Sequence, residues 1–362
     1  MATAYLDHNA TTPPYKSVIE LVARVMREGG NPSAVYGVGR QARGRVETAR
    51  SQVAKLANAR ARDVTFFGSA TEAHATLIAQ FASALFLRPD SEHDAVLNSR
   101  PGIPIPLKSS GVVCIESLNN LLYSNSGPIL VAIMAANNET GIIPDIETIS
   151  QLIISAKVNN PKIHFHIDAV QAAGKFPIDF KAWGCDSLAL SSHKMGGPQG
   201  VGALVTRPGF DLQPIIRGGG QERRRRAGTE NVAGIAGFGL ACELTEDMDH
   251  LIVLREHLER GLNAINPKSI IVGQDERRLP NTTCVINPGM SSEILLMKFD
   301  LAGVALSSGS ACSSGRVGGS HVLQAMGINA DFARSSLRFS LGRETTKAEV
   351  DLALDAYRDI CS

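Results

Sequence analysis

Long apolar runs and an excess of charge of one sign are both missing from this sequence. The longest aliphatic stretch, 129–136, is eight residues long, whereas a membrane-spanning helix needs roughly 18 or more. The 36 Lys and Arg residues nearly balance the 35 Asp and Glu residues, which leaves a net charge of +1. No broad electrostatic field exists to hold nucleic acid or an anionic membrane. We therefore expect neither as a partner.

Targeting signals and paired cysteines are lacking too. The first eight residues contain neither a basic start nor an apolar core, which argues against a secretory or transit peptide and favours a cytoplasmic location. The six cysteines are spread over the chain without a Cys-x-x-Cys pair, so neither a zinc knuckle nor a disulfide framework is expected. Four of them stand in apolar segments and are predicted to be core thiols: Cys114, Cys185, Cys242 and Cys284.

What the sequence does contain is an alternation of helix and strand patterns. Apolar residues at steps of three and four predict a helix over 39–56, and a second helix is predicted over 71–87. Short apolar runs, from 64–67 to 203–206, predict strands separated by single helices. Such strands need crossover connections, so the fold class is α/β with a mainly parallel sheet.

The pattern changes in the last third of the chain. A long helix is predicted over 232–263, and short strands interleaved with helices over 270–361 predict a smaller α+β unit. The chain of 362 residues is long enough for two domains at roughly 150 residues each. We place the boundary near residue 245, inside the long helix.

Two polar side chains stand just past the ends of neighbouring apolar strands. Asp168 follows the run 163–167, and Lys194 follows 187–190 after a short turn. In open parallel sheets ligands bind outside the carboxyl ends of the strands, so both side chains can face one ligand. Pyridoxal phosphate needs an amine for its attachment and a carboxylate that keeps its pyridine nitrogen protonated. A lysine on a glycine-bounded turn is by itself typical of a surface residue, and it is the pairing with Asp168 that favours the cofactor.

The phosphate of such a cofactor needs backbone N–H groups at the start of a helix. Gly68-Ser-Ala-Thr71 stands between the strand 64–67 and the predicted helix 71–87, which offers that geometry. Many strand-to-helix turns have a similar sequence. The segment therefore supports a phosphate site only together with Asp168 and Lys194.

Cys312 differs from the other cysteines in its surroundings. Small, hydroxyl and glycine residues flank it in Ser307-Ser-Gly-Ser-Ala-Cys-Ser-Ser-Gly315, whereas a structural thiol normally stands among apolar residues. Glycines and small residues predict a mobile loop, from which one sulfur can meet a bound cofactor and then an outside acceptor. The alternative is an exposed, inert thiol.

Ten segments of the sequence, in this order, carry a resemblance that spans nearly the whole chain. The chain resembles the pyridoxal-phosphate-dependent cysteine desulfurases of the NifS/IscS type, within the class V aminotransferase group. Any one segment can occur by chance, but their joint order is very specific. The segments are Tyr5-Leu-Asp-His-Asn-Ala-Thr-Thr-Pro13, Gly30-Asn-Pro-Ser33, Gly68-Ser-Ala-Thr-Glu72, Ala136-Asn-Asn-Glu-Thr-Gly141, His166-Ile-Asp-Ala-Val-Gln171, Ser191-Ser-His-Lys194, Gly218-Gly-Gly-Gln-Glu222, Ala227-Gly-Thr-Glu-Asn231, Ser308-Gly-Ser-Ala-Cys312 and Arg338-Phe-Ser-Leu-Gly342.

The resemblance implies the fold of type I pyridoxal-phosphate enzymes. Its large domain, over 14–245, would hold a mainly parallel sheet of the seven-stranded type between helices. A small α+β domain, formed by 1–13 and 246–362, would carry the loop of the nucleophilic cysteine. One departure stands out, because related chains usually read Thr-Glu-(Ala/Ser)-Asn-Asn where this one has Thr71-Glu-Ala-His74-Ala75. Because of this departure, the resemblance does not predict which hydrogen bonds surround Thr71.

The resemblance also implies how the cofactor is held. Lys194 would form the covalent link, Asp168 would pair with the pyridinium, Gln171 would hydrogen-bond the phenolic oxygen, and His93 would stack on the ring. Thr229 would reach the phosphate from the second subunit of a homodimer. The other predicted cofactor-binding residues are Ala70, Thr71, Asn138, Ser191 and His193. The basic run 223–226 is expected to border the phosphate or carboxylate end of the site.

The implied activity is conversion of L-cysteine to L-alanine. Asn138 and Arg338 would hold the substrate carboxylate, Arg338 through a two-bond fork, and Lys194, Cys312 and His93 would be catalytic. Sulfur would leave as a persulfide on Cys312 for an acceptor protein that builds iron–sulfur clusters or thio-cofactors. No intrinsic metal is expected, although Cys312 could share a transient iron–sulfur cluster with a scaffold. The alternatives are a selenocysteine lyase, another class V lyase, or a non-catalytic sulfur-delivery partner with the same fold.

Overall fold

A computed structural model describes residues 3–309 and 319–362. Cys312 and the loop predicted around it lie outside the described residues. The helices and strands are β1 Ala4–Tyr5, α1 Lys16–Glu28, α2 Gly37–Leu56, β2 Val64–Phe67, α3 Ala70–Ala79, β3 Leu85–Arg88, α4 Asp94–Leu97, β4 Ile103–Pro104, α5 Ile115–Tyr123, β5 Ile129–Met134, α6 Ile146–Asn159, β6 Ile163–Asp168, β7 Ser187–Ser191, β8 Gly202–Thr206, α7 Val232–Leu244, α8 Leu251–Ile265, β9 Ile270–Ile271, β10 Thr282–Ile286, α9 Ser292–Leu301, β11 Val304–Ala305, β12 Ser307–Ser308, α10 His321–Ala325, α11 Ala330–Ala333, β13 Ser336–Ser340 and α12 Lys347–Cys361.

A seven-stranded sheet with the order β2-β8-β7-β6-β5-β3-β4 forms the larger part of the fold. The strands from β7 to β4 run parallel to one another. Strand β8 is antiparallel to both of its neighbours, β7 and β2. The mainly parallel, seven-stranded α/β fold expected from the sequence is confirmed.

The central strand β6 has two different faces. Because side chains alternate along a strand, Ile163, Phe165 and Ile167 all point to one side, where they join the main apolar core with helices α2 and α6. His164, His166 and Asp168 share the other side. All six residues of β6 are buried, so the polar face of this strand must find its partners inside the protein.

A second sheet, with the order β12-β13-β10-β9, is antiparallel, and a short parallel pair joins β1 to β11. A separate apolar core packs Ala4 and Leu6, from the start of the chain, with Leu251, Phe299 and Tyr357. We propose on this basis the division into a large domain over 14–245 and a small domain formed by 1–13 and 246–362.

Two helix predictions were wrong in extent. The helix predicted over 71–87 ends with α3 at Ala79, and β3 follows and pairs with β5. The apolar run 84–87 fits a helix or a strand, and the pairing with β5 decides. The helix predicted over 232–263 is two helices, because Thr245 has extended backbone (φ −67°, ψ 130°) and α8 starts only at Leu251. Residue 245 therefore lies between helices.

Three of the four predicted core thiols are confirmed. Cys185, Cys242 and Cys284 are buried, and burial raises the pKa of each. The prediction was wrong for Cys114, which is only half-buried. It stands directly before α5, and the Ser117 hydroxyl donates to its Sγ (3.2 Å). Among the described helices, none is long and apolar enough to cross a membrane.

Candidate active site

A cavity of about 300 Å³ opens at the carboxyl ends of β5, β6 and β7. The start of α3, Asn9 and Ala10 from the start of the chain, and Arg338 of β13 also line it. Ten sequence-predicted site residues line this cavity: Ala70, Thr71, His93, Asn138, Asp168, Gln171, Ser191, His193, Lys194 and Arg338. The fold thus brings together segments that are more than 250 residues apart, at the sheet edge where ligands are expected.

Asp168 ends β6 and is 6% exposed. Its Oδ1 accepts the N–H of Val170 (2.8 Å), and its Oδ2 lies 3.2 Å from His74 Nε2. Burial alone would raise the pKa of this carboxyl, but His74, the Val170 N–H and His93 outweigh it and lower the pKa to about 2. Asp168 is therefore ionised at neutral pH, as a partner for a protonated ring nitrogen must be.

Lys194 lies on a short turn that follows β7. Its Nζ donates to the backbone oxygens of Asn9 and Ala10, both at 2.7 Å, which directs the amine to the cavity wall formed by the start of the chain. The turn needs Gly196, which has φ 81°, and a Cβ there would lie 2.5 Å from the Tyr15 ring. The chain thus folds back tightly behind the lysine.

Helix α3 starts at the cavity because Ser69 caps it. The Ser69 side chain, in extended conformation, accepts the N–H of Glu72 (3.1 Å), and its backbone oxygen accepts that of Ala73. The N–H groups of Ala70 and Thr71 lie in the first turn, where an α-helix supplies no acceptor. Strand β8 approaches closely here, since a Cβ on Gly202 would lie 2.6 Å from the Ala70 nitrogen. The helix start thus has the geometry that favours anion binding.

Two histidines of the cavity wall are held in the neutral form. His93 Nδ1 accepts the N–H of Ala95 (3.1 Å), so its proton is on Nε2. Burial lowers the pKa of His93 despite the nearby Asp168 carboxylate. Burial and the charge of Lys194 lower the pKa of His193 to about 4. Neutral imidazoles suit ring stacking and hydrogen bonding to phosphate.

Arg338 brings a buried guanidinium to the cavity and is 2% exposed. Its Nη1 donates to the backbone oxygen of Asn138 (3.1 Å), and its Nη2 donates to Asp7 Oδ1 (2.6 Å). Its Nε is buried and has no hydrogen-bond partner among the described residues. A buried, unpaired donor on a cation is costly, and a ligand carboxylate would satisfy it.

Of the predicted site residues that the structure describes, Thr229 is the one that does not line this cavity. Cys312 lies outside the described residues. Thr229 lines a different cavity of about 230 Å³, together with Arg226 and Glu222, and its role toward a second subunit stays a prediction. In the basic run, Arg226 pairs with Glu72 of α3 (2.8 Å). Arg226 therefore contacts the helix whose first residues line the main cavity.

Sequence reasoning missed several residues that support the site. Lys175 is buried and donates to Asn9 Oδ1 (2.7 Å) and to Gln171 Oε1, which fixes the Gln171 side chain. Its position four residues after Gln171 was an available signal. Asn9 connects these groups to Thr282 of β10 (2.9 Å), a contact that only the tertiary fold creates. His74 was noticed as a departure, but its contact with Asp168 was not predicted.

Comparison with known proteins places the chain in a family. Residues 4–353 match the family model described as aminotransferase class-V. The chain is 40% identical to a cysteine desulfurase of Cereibacter sphaeroides, over 99% of this chain and 96% of that protein. A NifS-like protein from Rickettsia africae has a solved structure that is 36% identical, with a TM-score of 0.91 and 99% of both chains covered. A structure of SspA in complex with cysteine is 28% identical, with a TM-score of 0.82, covering 95% of this chain and 100% of that one.

The chain therefore belongs to the class V aminotransferase family. Within that family it is a relative, over nearly its full length, of cysteine desulfurases and NifS-like proteins. The resemblance read from the ten sequence segments is confirmed.

Proposed function

We propose that this protein is a pyridoxal-phosphate-dependent cysteine desulfurase, which converts L-cysteine to L-alanine and passes the sulfur on as a persulfide. The observation that carries the proposal is the single cavity in which Lys194, the ionised Asp168 and the buried Arg338 meet. Each of these groups has a separate task in amino-acid chemistry on this cofactor.

The residues present fit the cofactor. An amine at Lys194, an anion at Asp168 and the N–H groups of Ala70 and Thr71 match its aldehyde, ring nitrogen and phosphate in turn. When bound, pyridoxal phosphate supplies an electron sink for the amino acid attached to it. His93 would lie on the ring, and Gln171 would bind the phenolic oxygen.

Ser191 and His193 would hold the phosphate from the side of β7. Thr229 would reach it from a second subunit, which makes the proposed enzyme a homodimer. The placement of Thr229 outside the cavity of its own chain supports this role.

The substrate carboxylate would bind Arg338 and Asn138. Arg338 has a buried Nε without a described partner, and a carboxylate can accept from Nε and a second guanidinium nitrogen at once. A solved relative, SspA, is in complex with cysteine, which supports cysteine as the ligand of this chain's cavity.

Cys312 would be the nucleophile. The segment that contains it starts from β12, where Ser307 pairs with Arg338, and it rejoins the described chain before Ser320, whose hydroxyl donates to Glu139. The Cys312 thiolate attacks the substrate sulfur, so that an S–S bond forms as the Cβ–S bond breaks. The electron pair stays with the carbon part, which takes up protons and leaves as alanine, while Cys312 is oxidised to a persulfide.

An acceptor protein, for iron–sulfur clusters or thio-cofactors, would take the terminal sulfur, and the reaction would take place in the cytoplasm. The test is alanine release from cysteine by the protein loaded with pyridoxal phosphate. We expect release to stop in Cys312→Ser while the cofactor absorbance remains. Alanine release from cysteine that survives in Cys312→Ser would contradict the persulfide route and favour a lyase.

A further inference from the structure

Three buried histidines and one buried serine form a hydrogen-bond network behind Asp168. His74 Nε2 makes no hydrogen bond to the described residues and lies at an ion-pair distance of 3.2 Å from Asp168 Oδ2. His74 Nδ1 lies 2.9 Å from His166 Nε2. His166 Nδ1 and His164 Nε2 both lie 2.9 Å from the Ser187 hydroxyl. None of the four residues behind Asp168 is more than 4% exposed. The network is therefore shut off from solvent, and its four side chains must share their protons with one another.

Two features of the sequence bring the side chains of this network together. His164, His166 and Asp168 are two residues apart on β6 and so share its polar face. Strand β7 starts at Ser187, which is in register with His166. Helix α3 packs on this face and contributes His74, one turn after Thr71. The segment that holds the phosphate end of the cavity thus also contacts Asp168.

The protons available on each side chain limit the direction in which the hydrogen bonds of this network run from donor to acceptor. Burial and the neighbouring His74 lower the pKa of His166 well below its ordinary value, so His166 is neutral, with one N–H and one lone pair. If His164 donates to Ser187, then Ser187 donates to His166 and His166 donates to His74 Nδ1. A neutral His74 then has its proton on Nε2, facing Asp168. The opposite direction puts the proton of a neutral His74 on Nδ1 and turns the bare lone pair of Nε2 toward the carboxylate, which is repulsive.

The first direction therefore suits the carboxylate better. In it the N–H of His74 Nε2 is on the side of Asp168 Oδ2, and Oδ1 accepts the N–H of Val170. Glu92 and His93, on the segment before α4, are the other titratable groups whose pKa the Asp168 charge affects. Lys194, on the turn after β7, lines the same cavity as Asp168. Glu92 is buried, and burial and then the Asp168 charge raise its pKa well above the usual range, which favours its neutral form over a second negative charge beside Asp168.

We propose that His74 is a positioning residue, which holds Asp168 as an oriented anion for the ring nitrogen of the cofactor. The hydrogen bonds among His166, Ser187 and His164 keep the proton of His74 on Nε2. The inference rests on the proposed function, because it assigns a partner to the residue that pairs with the cofactor. It gives the departure from the usual family segment at His74 a chemical task.

Two substitutions at His74 separate this role from simple packing. In His74→Gln the amide nitrogen occupies the place of Nε2 and can still donate to Asp168. In His74→Asn the amide is shorter, reaches only the place of Nδ1, and keeps the contact with His166 but not the one with Asp168. The readouts are the dissociation constant of pyridoxal phosphate and the pH midpoint at which the visible absorbance of the bound cofactor changes.

We expect His74→Asn to weaken cofactor binding about tenfold, the usual size of one charge-assisted hydrogen bond, and to raise the absorbance midpoint. The midpoint rises because a ring nitrogen that loses its proton withdraws fewer electrons from the lysine–cofactor linkage. His74→Gln should stay near the wild type in both. Wild-type values in His74→Asn, or equal changes in both variants, would overturn the proposal.

A second measurement does not depend on the cofactor. In the protein without added cofactor, nitrogen-15 NMR of labelled histidines should find His74 protonated at Nε2. A neutral His74 with its proton on Nδ1 would overturn the inference. Failure of the proposed function would instead be seen in the wild type, as absence of cofactor absorbance or of alanine release.

Discussion

Arg338 Nη2 donates to Asp7 Oδ1 at 2.6 Å, and this ion pair links the start of the chain to β13 at the cavity. The hydroxyl of Ser307, on β12, donates to the other Asp7 oxygen (2.7 Å). One carboxylate thus holds both the proposed substrate-binding arginine and the strand that leads to Cys312. These contacts of Asp7 explain why the first residues of the chain belong to the site although they are far from Arg338 and Ser307 in sequence.

Asp7→Asn should destabilise the fold. Arg338 is 2% exposed in its side chain and would lose its charged partner inside the protein, which costs about 2 kcal/mol in free energy of unfolding when one partner stays partly exposed. Urea denaturation measures the loss. Asp355→Asn is the control, because Asp355 pairs with Arg358 at the same distance of 2.6 Å but on the surface. Equal losses in the two variants would show that burial of the Asp7 pair is unimportant.

Arg338→Lys should impair substrate binding and leave the cofactor in place. A lysine keeps the charge but not the planar fork that grips a carboxylate, so we expect KM for cysteine to rise about tenfold. Steady-state kinetics, with the visible absorbance of the cofactor recorded in parallel, separates the two effects. Arg334→Lys, on an exposed arginine outside the cavity, is the control. An unchanged KM in Arg338→Lys would remove this residue from the substrate site.

Lys194→Ala should abolish covalent attachment of the cofactor. The amine is the only part of Lys194 that the proposed role uses, so the absorbance of the attached cofactor should disappear together with alanine formation. Lys55→Ala, on the exposed side of α2, should retain both. Attached cofactor that persists in Lys194→Ala would assign the link to another amine.

Glu139 should make the stability depend on pH. Burial is the main cause that raises its pKa from 4.5 to about 7. Because the folded state then holds the proton more tightly than the unfolded chain, the free energy of unfolding falls as pH rises between these values.

Glu139→Gln should remove this dependence. It should match the wild type near pH 4.5 and exceed it at pH 8 by up to about 3 kcal/mol. Urea denaturation over this pH range provides the measurement, with Glu344→Gln, whose side chain is 87% exposed, as the control. Parallel stability curves for Glu139→Gln and the wild type would contradict the assignment.

The sequence predicted the parts of the site that depend on strand order. Asp168 and Lys194 follow strands with clear apolar patterns, and parallel strands bring their carboxyl ends to one edge. The extents of α3 and α7 were wrong because the apolar pattern continues through the run 84–87 and past Thr245, while strand pairing and backbone conformation decide where each helix ends. These are long-range effects that local periodicity does not contain.

The supporting residues were harder to predict for a related reason. Lys175 meets Asn9 from 166 residues away, and His74 meets Asp168 only because α3 packs on the polar face of β6. Buried polar side chains of this kind look like ordinary surface residues in the sequence. They become recognisable once the fold requires each of them to have a partner.

The central claim is that sulfur passes from cysteine to Cys312, and mass spectrometry of the Cys312 peptide tests it most directly. The protein, loaded with pyridoxal phosphate, is incubated with cysteine. Its thiols are then alkylated, and the protein is digested with a protease. The peptide of the half-buried Cys114 serves as the internal control. We expect one extra sulfur on the Cys312 peptide, none on the Cys114 peptide, and none on either peptide without cysteine. Alanine formation with no extra sulfur on Cys312 would contradict it.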